Sequence, residues 1–194
     1  MLTTKDRILS VLVDHIKTGT NLSNLSLSQI AAEAEIGKST VYEYFSSKDE
    51  MIGETFRFLL EKYDCILSAE LEQKTFKLAF IEQIKRILFI MKDAKNIMDA
   101  IMNNSKIAYP NMDKNLDGEM KKIQDKMNQR FEHIIMIGVS EGIIEVRPPK
   151  PYTKNVIQAL ISGLLFQYVN GEMNIGEPEL SELIYEHTLD VLNP

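Results

Sequence analysis

The chain has 194 residues, 44% of them hydrophobic and 26% charged, with a formal net charge of −6, one cysteine and three histidines. That balance suits a folded globular protein, long enough for one large domain or for a small one joined to a larger one. It excludes an intrachain disulfide, argues against a metal centre because His15, His133 and His187 lie far apart, and offers no apolar run of the roughly 20 residues a membrane span needs. The opening MLTTKDRIL lacks the apolar core of a signal peptide, so a reducing cytoplasm is the expected compartment.

Thr3 and Asp6 form a first capping box, and Ile8, Val11, Leu12 and Ile16 follow as an apolar stripe that ends at Gly19. A polar loop covers 20–25. Ser26 and Gln29 form a second capping box and open a short helix with Ile30, Ala31 and Ala34 on its inner face. Glu35-Ile36-Gly37 breaks the pattern. The next helix, about 38–45, turns Val41 and Phe45 inward at i, i+4 spacing and leaves Lys38, Ser39, Thr40, Tyr42 and Glu43 outside. A short helix anchored on one side, with hydroxyl, aromatic and basic groups on the other, is what a DNA major groove accepts.

Ser47 with Glu50 predicts a third capping box and a long helix through Met51, Phe56, Leu59, Leu60, Tyr63 and Leu67 to about Leu71. Further helices are expected at about 75–91, 94–107 (closed by Pro110) and 112–141 (ended by Gly142). Pro148, Pro149 and Pro151 make an extended connector to a densely apolar helix at about 152–170, and a last helix spans about 179–192. No segment sustains period-2 alternation. The expectation is an all-α chain of about nine helices: a three-helix helix-turn-helix domain over 1–47 and a larger helical domain over 48–194.

The run Ile30-Ala31…Ala34…Ile36-Gly37-Lys38-Ser39-Thr40-Val41-Tyr42-Glu43-Tyr44-Phe45-Ser46-Ser47-Lys48 resembles the DNA-binding signature of the TetR family of bacterial transcriptional regulators. Arg7-Ile8-Leu9 and Gly19 resemble that family's first helix and its exit, and Ile137–Glu145 resembles the end of one of its long helices. Two positions depart from the pattern: Glu35 stands where the family usually has a turn glycine, and Gly37 where it usually has a serine cap. The resemblance implies a ligand-responsive regulator, a repressor that binds a palindromic double-stranded DNA operator as a homodimer and is released by a small effector. It also implies that Thr40, Tyr42 and Tyr44 touch DNA, mostly its backbone.

The residues themselves add to this. Lys48 in the first turn of a helix opposes the macrodipole, which a phosphate at that terminus would reverse; the alternative is a solvated lysine. Ser26 and Ser28 are candidate phosphate donors, with Ser26 also a cap. Glu43 could accept from a cytosine amine or simply be solvated, and Tyr44 could instead pack on the first helix. Residues 1–48 hold five Lys/Arg and five Asp/Glu, so the head is neutral and the body carries the whole −6. Charge alone would not suggest DNA. It motivates the alternative of a helical ligand carrier or interaction module that no longer binds DNA.

Seven of the ten methionines fall between Met91 and Met136, among Phe89, Tyr109 and Phe131. Such soft, polarisable side chains suit either a helical core or a cavity for an apolar guest. Since the resemblance implies an effector pocket in this region, Tyr63, Phe89, Met98, Met102, Tyr109, Met127, Phe131 and Phe166 are its candidate lining. Asn103, Asn104, Gln124 or Asn128 are candidate polar contacts. The apolar helix at 152–170 and the last helix predict a dimer interface of Val156, Leu160, Ile161, Leu164, Leu165, Leu183, Ile184 and His187, with Gly163 permitting close approach. No catalytic constellation, cofactor-binding loop or metal motif is visible, so neither an enzyme nor a cofactor is expected.

Overall fold

The computed structural model describes residues 3–103, 113–146 and 150–193. Among these the backbone forms eight α-helices and one short 3-10 turn, and no strand. They are α1 (Thr4–Lys17), the turn Leu22–Asn24, α2 (Leu27–Glu33), α3 (Lys38–Tyr44), α4 (Lys48–Ser68), α5 (Phe76–Asn103), α6 (Asp113–Ser140), α7 (Thr153–Val169) and α8 (Glu177–Leu192). The fold is all-α. The expected break between 91 and 94 does not occur: Lys92-Asp93-Ala94 changes polarity but holds neither glycine nor proline, so α5 runs through it. Tyr109, Pro110, Pro148 and Pro149 fall outside the described residues, as do the side chains of Met98 and Met102. No helix among the described residues is long and apolar enough to cross a membrane.

The chain divides into two compact units: Met1–Cys65 with Ala94–Ile123, and Ile66–Asp93 with Gln124–Pro194. In the first, the Thr3 hydroxyl accepts from Asp6 N at 3.1 Å while the Asp6 carboxylate accepts from Thr3 N at 2.9 Å, the reciprocal box expected for α1. Ile8, Leu9, Leu12, Val13 and Ile16 of α1 are buried, as are Leu22, Leu25, Ile30, Ala31 and Ala34. Val11, assigned to the stripe from sequence, is only half-buried; Leu9 and Val13 widen the buried face instead. At the periphery Lys5 pairs with Glu54 at 2.9 Å, and His15 Nε2 lies within hydrogen-bond distance of Glu33, at 2.6 Å.

The second unit is organised around Phe76. Its ring lies 6.1 Å from Phe80 and 5.6 Å from Tyr185, and Phe80 meets Phe131 edge-on at 6.0 Å. Its backbone N–H, at the start of α5, has no partner within that helix, and the Glu141 carboxylate at the end of α6 accepts from it at 3.1 and 3.2 Å. A carboxylate at a helix N-terminus also complements the macrodipole. Ile84, Leu88, Ile134, Ile157, Ile161, Leu165, Leu180 and Ile184 complete the core. The last carbonyls of α4 are covered by donors from α5 and α6. Gln83 donates to Leu67 O (3.3 Å), Arg130 to Ser68 O (2.7 Å), and Arg86 to Ala69 O (2.5 Å) and Glu70 O (2.8 Å). Cationic donors are favourable at that end of a helix.

Helix α6 ends in a Schellman turn: Gly142 N donates to Val139 O and Ile143 N to Gly138 O, with Gly142 at φ 71°. The turn folds Ile144 back over Gly138. A Cβ at Gly138 would sit 2.6 Å from Ile144 Cδ1 and 2.9 Å from Phe76 Cγ, so only glycine fits there. Gly138→Ala is therefore expected to destabilise the protein by about 1–3 kcal/mol in urea unfolding. Gly53→Ala, where a Cβ meets nothing within 4 Å, should instead stabilise it by about 0.4–1 kcal/mol. Equal effects at the two sites would remove the close-packing explanation.

Candidate nucleic-acid interface and ligand cavity

Helices α2 and α3 are short, and their mutual placement comes from the turn between them. Ser26 Oγ accepts from Gln29 N at 3.1 Å and Gln29 Oε1 accepts from Ser26 N at 3.0 Å, which opens α2. The helix closes in a Schellman turn, with Glu35 N donating to Ala32 O (3.1 Å) and Ile36 N to Ala31 O (2.9 Å). That turn puts Glu35 at φ 56°, the left-handed region where a side chain is strained. Gly37, the N-cap of α3, has φ −73°, and a Cβ there would meet only ordinary contacts at 3.6 and 3.7 Å. The two departures from the resembling pattern therefore differ physically. The position of Glu35 favours glycine; the position of Gly37 does not require it.

On α3, Val41 and Phe45 are 1% and 3% exposed. Lys38, Ser39, Tyr42, Glu43 and Tyr44 face outward, and Thr40 is half-buried. Tyr44 stays 41% exposed. Ser26 and Ser28 are exposed at the start of α2. The turn into α4 carries the third cap in altered form. Ser47 Oγ accepts from Glu50 N at 3.1 Å, but the Glu50 carboxylate reaches past Ser47 to the Ser46 hydroxyl (2.5 Å) and backbone N–H (2.7 Å). Those bonds from Ser46, side chain first, hold the Glu50 carboxyl below its usual range. Lys48 is half-buried, and its ammonium donates to Leu25 O at 2.6 Å, tying the start of α4 to the chain just before α2. Burial holds its pKa below that of an ordinary lysine.

The second unit contains a cavity of about 670 Å³. Its walls are Phe76, Phe80, Ile87 and Met91 of α5, Met127, Phe131 and Ile135 of α6, Ile157, Ile161 and Leu165 of α7, and Thr188 and Leu192 of α8. Polar groups also line it. Gln158 Nε2 donates to Asn128 Oδ1 at 2.9 Å, and Lys154 pairs with Glu132 at 3.3 Å. Of the side chains expected in a pocket, Met127, Phe131, Gln124 and Asn128 line it. Tyr63 is buried in the first unit and is not among the lining residues. Phe89 and Phe166 are 57% and 59% exposed. Phe89 stands two residues beyond Ile87, more than half a helical turn away from the inner stripe. The side chains of Met98, Met102 and Asn103, and residues Asn104 and Tyr109, lie outside those described.

The walls that sequence reasoning missed were visible as a stripe. Phe76, Phe80, Gln83, Ile87 and Met91 recur at spacings of three and four. Gln83 is the anomaly in it. It is wholly buried, its amide N–H donates to Leu67 O and lies 3.3 Å from Met127 Sδ, and its Oε1 has no partner among the described residues.

Of the residues expected at a dimer interface, Ile161, Leu165 and Ile184 are buried in the core of their own unit. Leu160, Leu164 and Leu183 are half-buried, and Val156 and His187 are exposed. Helix α7 leaves Val156, Ala159 and Phe166 exposed, with Gly163 half-buried.

Glu35→Gly should relieve the left-handed strain, worth about 1–2 kcal/mol, against the extra chain entropy of glycine, about 0.5–1 kcal/mol. The expected result is a gain of up to about 1 kcal/mol in denaturant unfolding. A loss of stability would mean that the Glu35 side chain itself holds the turn.

The sequence model of a family described as "Bacterial regulatory proteins, tetR family" matches residues 20–55, the segment from the loop before α2 into α4. A comparison with curated protein sequences finds no match. Solved structures match over nearly the whole chain at low identity. A TetR transcription regulator from Haloarcula marismortui superposes with a TM-score of 0.62 at 14% identity, covering 98% of this chain and 96% of its own. The transcriptional regulator FadR from Bacillus subtilis, in complex with stearoyl-CoA, gives 0.60 at 16% identity over 96% and 98%. A protein from Saccharomonospora viridis described as a transcriptional regulator, in complex with choline, gives 0.63 at 18% identity over 94% and 93%. The chain carries the helix-turn-helix of the tetR family of bacterial regulatory proteins and is built throughout on the fold of that family's transcriptional regulators.

Proposed function

We propose that this protein is a ligand-responsive transcriptional repressor. It binds a palindromic operator as a homodimer and is released when a small, mainly apolar molecule enters the cavity of the second unit. The observation that carries the reading is α3: seven residues long, buried through Val41 and Phe45, and showing hydroxyl, aromatic and basic side chains on its free face. In the proposed complex Lys38, Ser39 and Thr40 enter the major groove first, Tyr42 and Tyr44 hold the backbone, and Glu43 accepts from a cytosine amine. Ser26, Ser28 and Lys48 contribute phosphate contacts. Residues 1–47 form the reading head, and 48–194 sense the ligand and dimerise. The exposed seam of α7, with α8, is the proposed dimer surface.

Two heads must lie one turn of DNA apart to enter successive major grooves. A ligand that favours another separation weakens DNA binding, and DNA weakens ligand binding by the same factor. The choline and stearoyl-CoA complexes of similarly folded proteins support a ligand site in this fold, while the lining here favours an apolar guest.

Selection from random-sequence DNA with the purified protein tests the reading; a palindrome is the expected product. Tyr42→Ala and Thr40→Ala should each weaken binding to it by about 1–3 kcal/mol without lowering the melting temperature. If no sequence is enriched while small molecules still bind, the alternative of a helical ligand carrier is favoured, as the neutral head allows. For the dimer, Val156→Glu combined with Phe166→Glu should yield folded monomers in light scattering, because both side chains are more than a third exposed within the chain. A monomeric wild type at micromolar concentration would sink the homodimer.

A further inference from the structure

We infer that the cavity ligand is an uncharged apolar molecule carrying a hydroxyl or carbonyl, and that the Thr188 hydroxyl on α8 is its hydrogen-bond partner. This rests on reading the second-unit cavity as the ligand site. Thr188 is among the residues around that cavity and is 1% exposed, and its Oγ1, closed off from the empty space, has no hydrogen-bond partner among the described residues, so a guest engages it by turning the side chain toward the cavity. Helical threonines can bond a carbonyl one turn back, and this one does not. A buried hydroxyl without a partner is destabilising, so such groups are rare unless something fills the role. A ligand hydroxyl can donate to it or accept from it, and a ligand carbonyl can accept from it.

Charge is disfavoured by the rest of the lining. Among the described residues around the cavity only Glu132 and Lys154 are ionic. They pair with each other, and their side chains are 67% and 54% exposed. No buried cation awaits a carboxylate or phosphate, and no buried carboxylate awaits an ammonium. Bringing either charge against Phe80, Ile161 and Leu165 would leave it desolvated and unpaired. A volume of about 670 Å³ lies within the roughly 300–1,000 Å³ usual for small-molecule sites.

The test uses the full chain and four probes with one tail: decan-1-ol, decanoate, decyltrimethylammonium and n-decane. Calorimetry and thermal melts should rank decan-1-ol first, with both ions at least about tenfold weaker. Thr188→Val keeps the shape and removes the hydroxyl. It should melt no lower than wild type, bind decan-1-ol about tenfold more weakly (the loss of roughly one neutral hydrogen bond) and bind n-decane unchanged. Thr188→Ser should keep the preference for the alcohol. Decan-1-ol affinity unaffected by Thr188→Val would overturn the assignment of the partner. Tighter binding of either ion would overturn the ligand class while leaving the cavity as a binding site. No binding of any probe would overturn both. Decan-1-ol that binds through Thr188 without releasing operator DNA would uphold the inference and remove the regulatory reading instead.

Discussion

A helix of seven residues does not persist in water on its own propensity; about 12–15 residues are marginal even for good sequences. The proposed reading surface is carried by such a helix, so everything on α3 depends on burying Val41 and Phe45. The neighbouring elements serve that burial. The Schellman turn at Glu35 aims α3 away from α2, the Lys5 ammonium lies 5.7 Å from the Phe45 ring, and Lys48 fastens the next helix to Leu25 O. The strain accepted at Glu35 is intelligible in this setting. The turn is over-determined by packing on both sides, and the residue there has to conform.

The second unit uses one helix face for two purposes. Phe76 and Phe80 belong to the aromatic cluster with Tyr185, and the same side chains wall the cavity. Close packing at Gly138 and the Glu141 carboxylate on Phe76 N hold the start of α5 rigidly. Further along, Gln83 stands between Met127 of the cavity wall and the Leu67 carbonyl of α4. A methionine can repack around a guest at little cost, whereas a buried amide cannot give up its one carbonyl partner without losing a hydrogen bond. The wall is thus soft at Met127 and hard at Phe76.

Helix α7 shows how a nearly uniform apolar helix is shared out. Ile157, Ile161 and Leu165 enter the core and the cavity, while Val156 and Phe166 are exposed. The sequence reading placed Ile161 and Leu165 at a dimer interface, because an apolar helix with one successor has too few visible partners. Both instead join a core shared with Phe76, Phe80, Ile84 and Leu88 of α5, which are far away in the chain.

Local rules were legible in the chain. The first two capping boxes, the inward Val41 and Phe45, the outward row of α3 and the all-α class follow from spacings of three and four residues, and the structure agrees with each except at Thr40, which is half-buried. The third box was legible only in part. Ser47 caps as expected, but Glu50 finds a shorter path to Ser46 once the turn is formed. The cavity wall was legible only as separate stripes, not as one enclosure. Two methionines of the expected cluster, Met91 and Met127, line the cavity, yet Phe76, Phe80, Ile135 and Thr188 come from three helices that only folding brings together. Local sequence determined which residues form helices and which side each one buries, since those are matters of backbone hydrogen bonds and period. Tertiary structure alone decided which buried faces meet in a filled core and which enclose a space, because that depends on how close helices distant in the chain can approach.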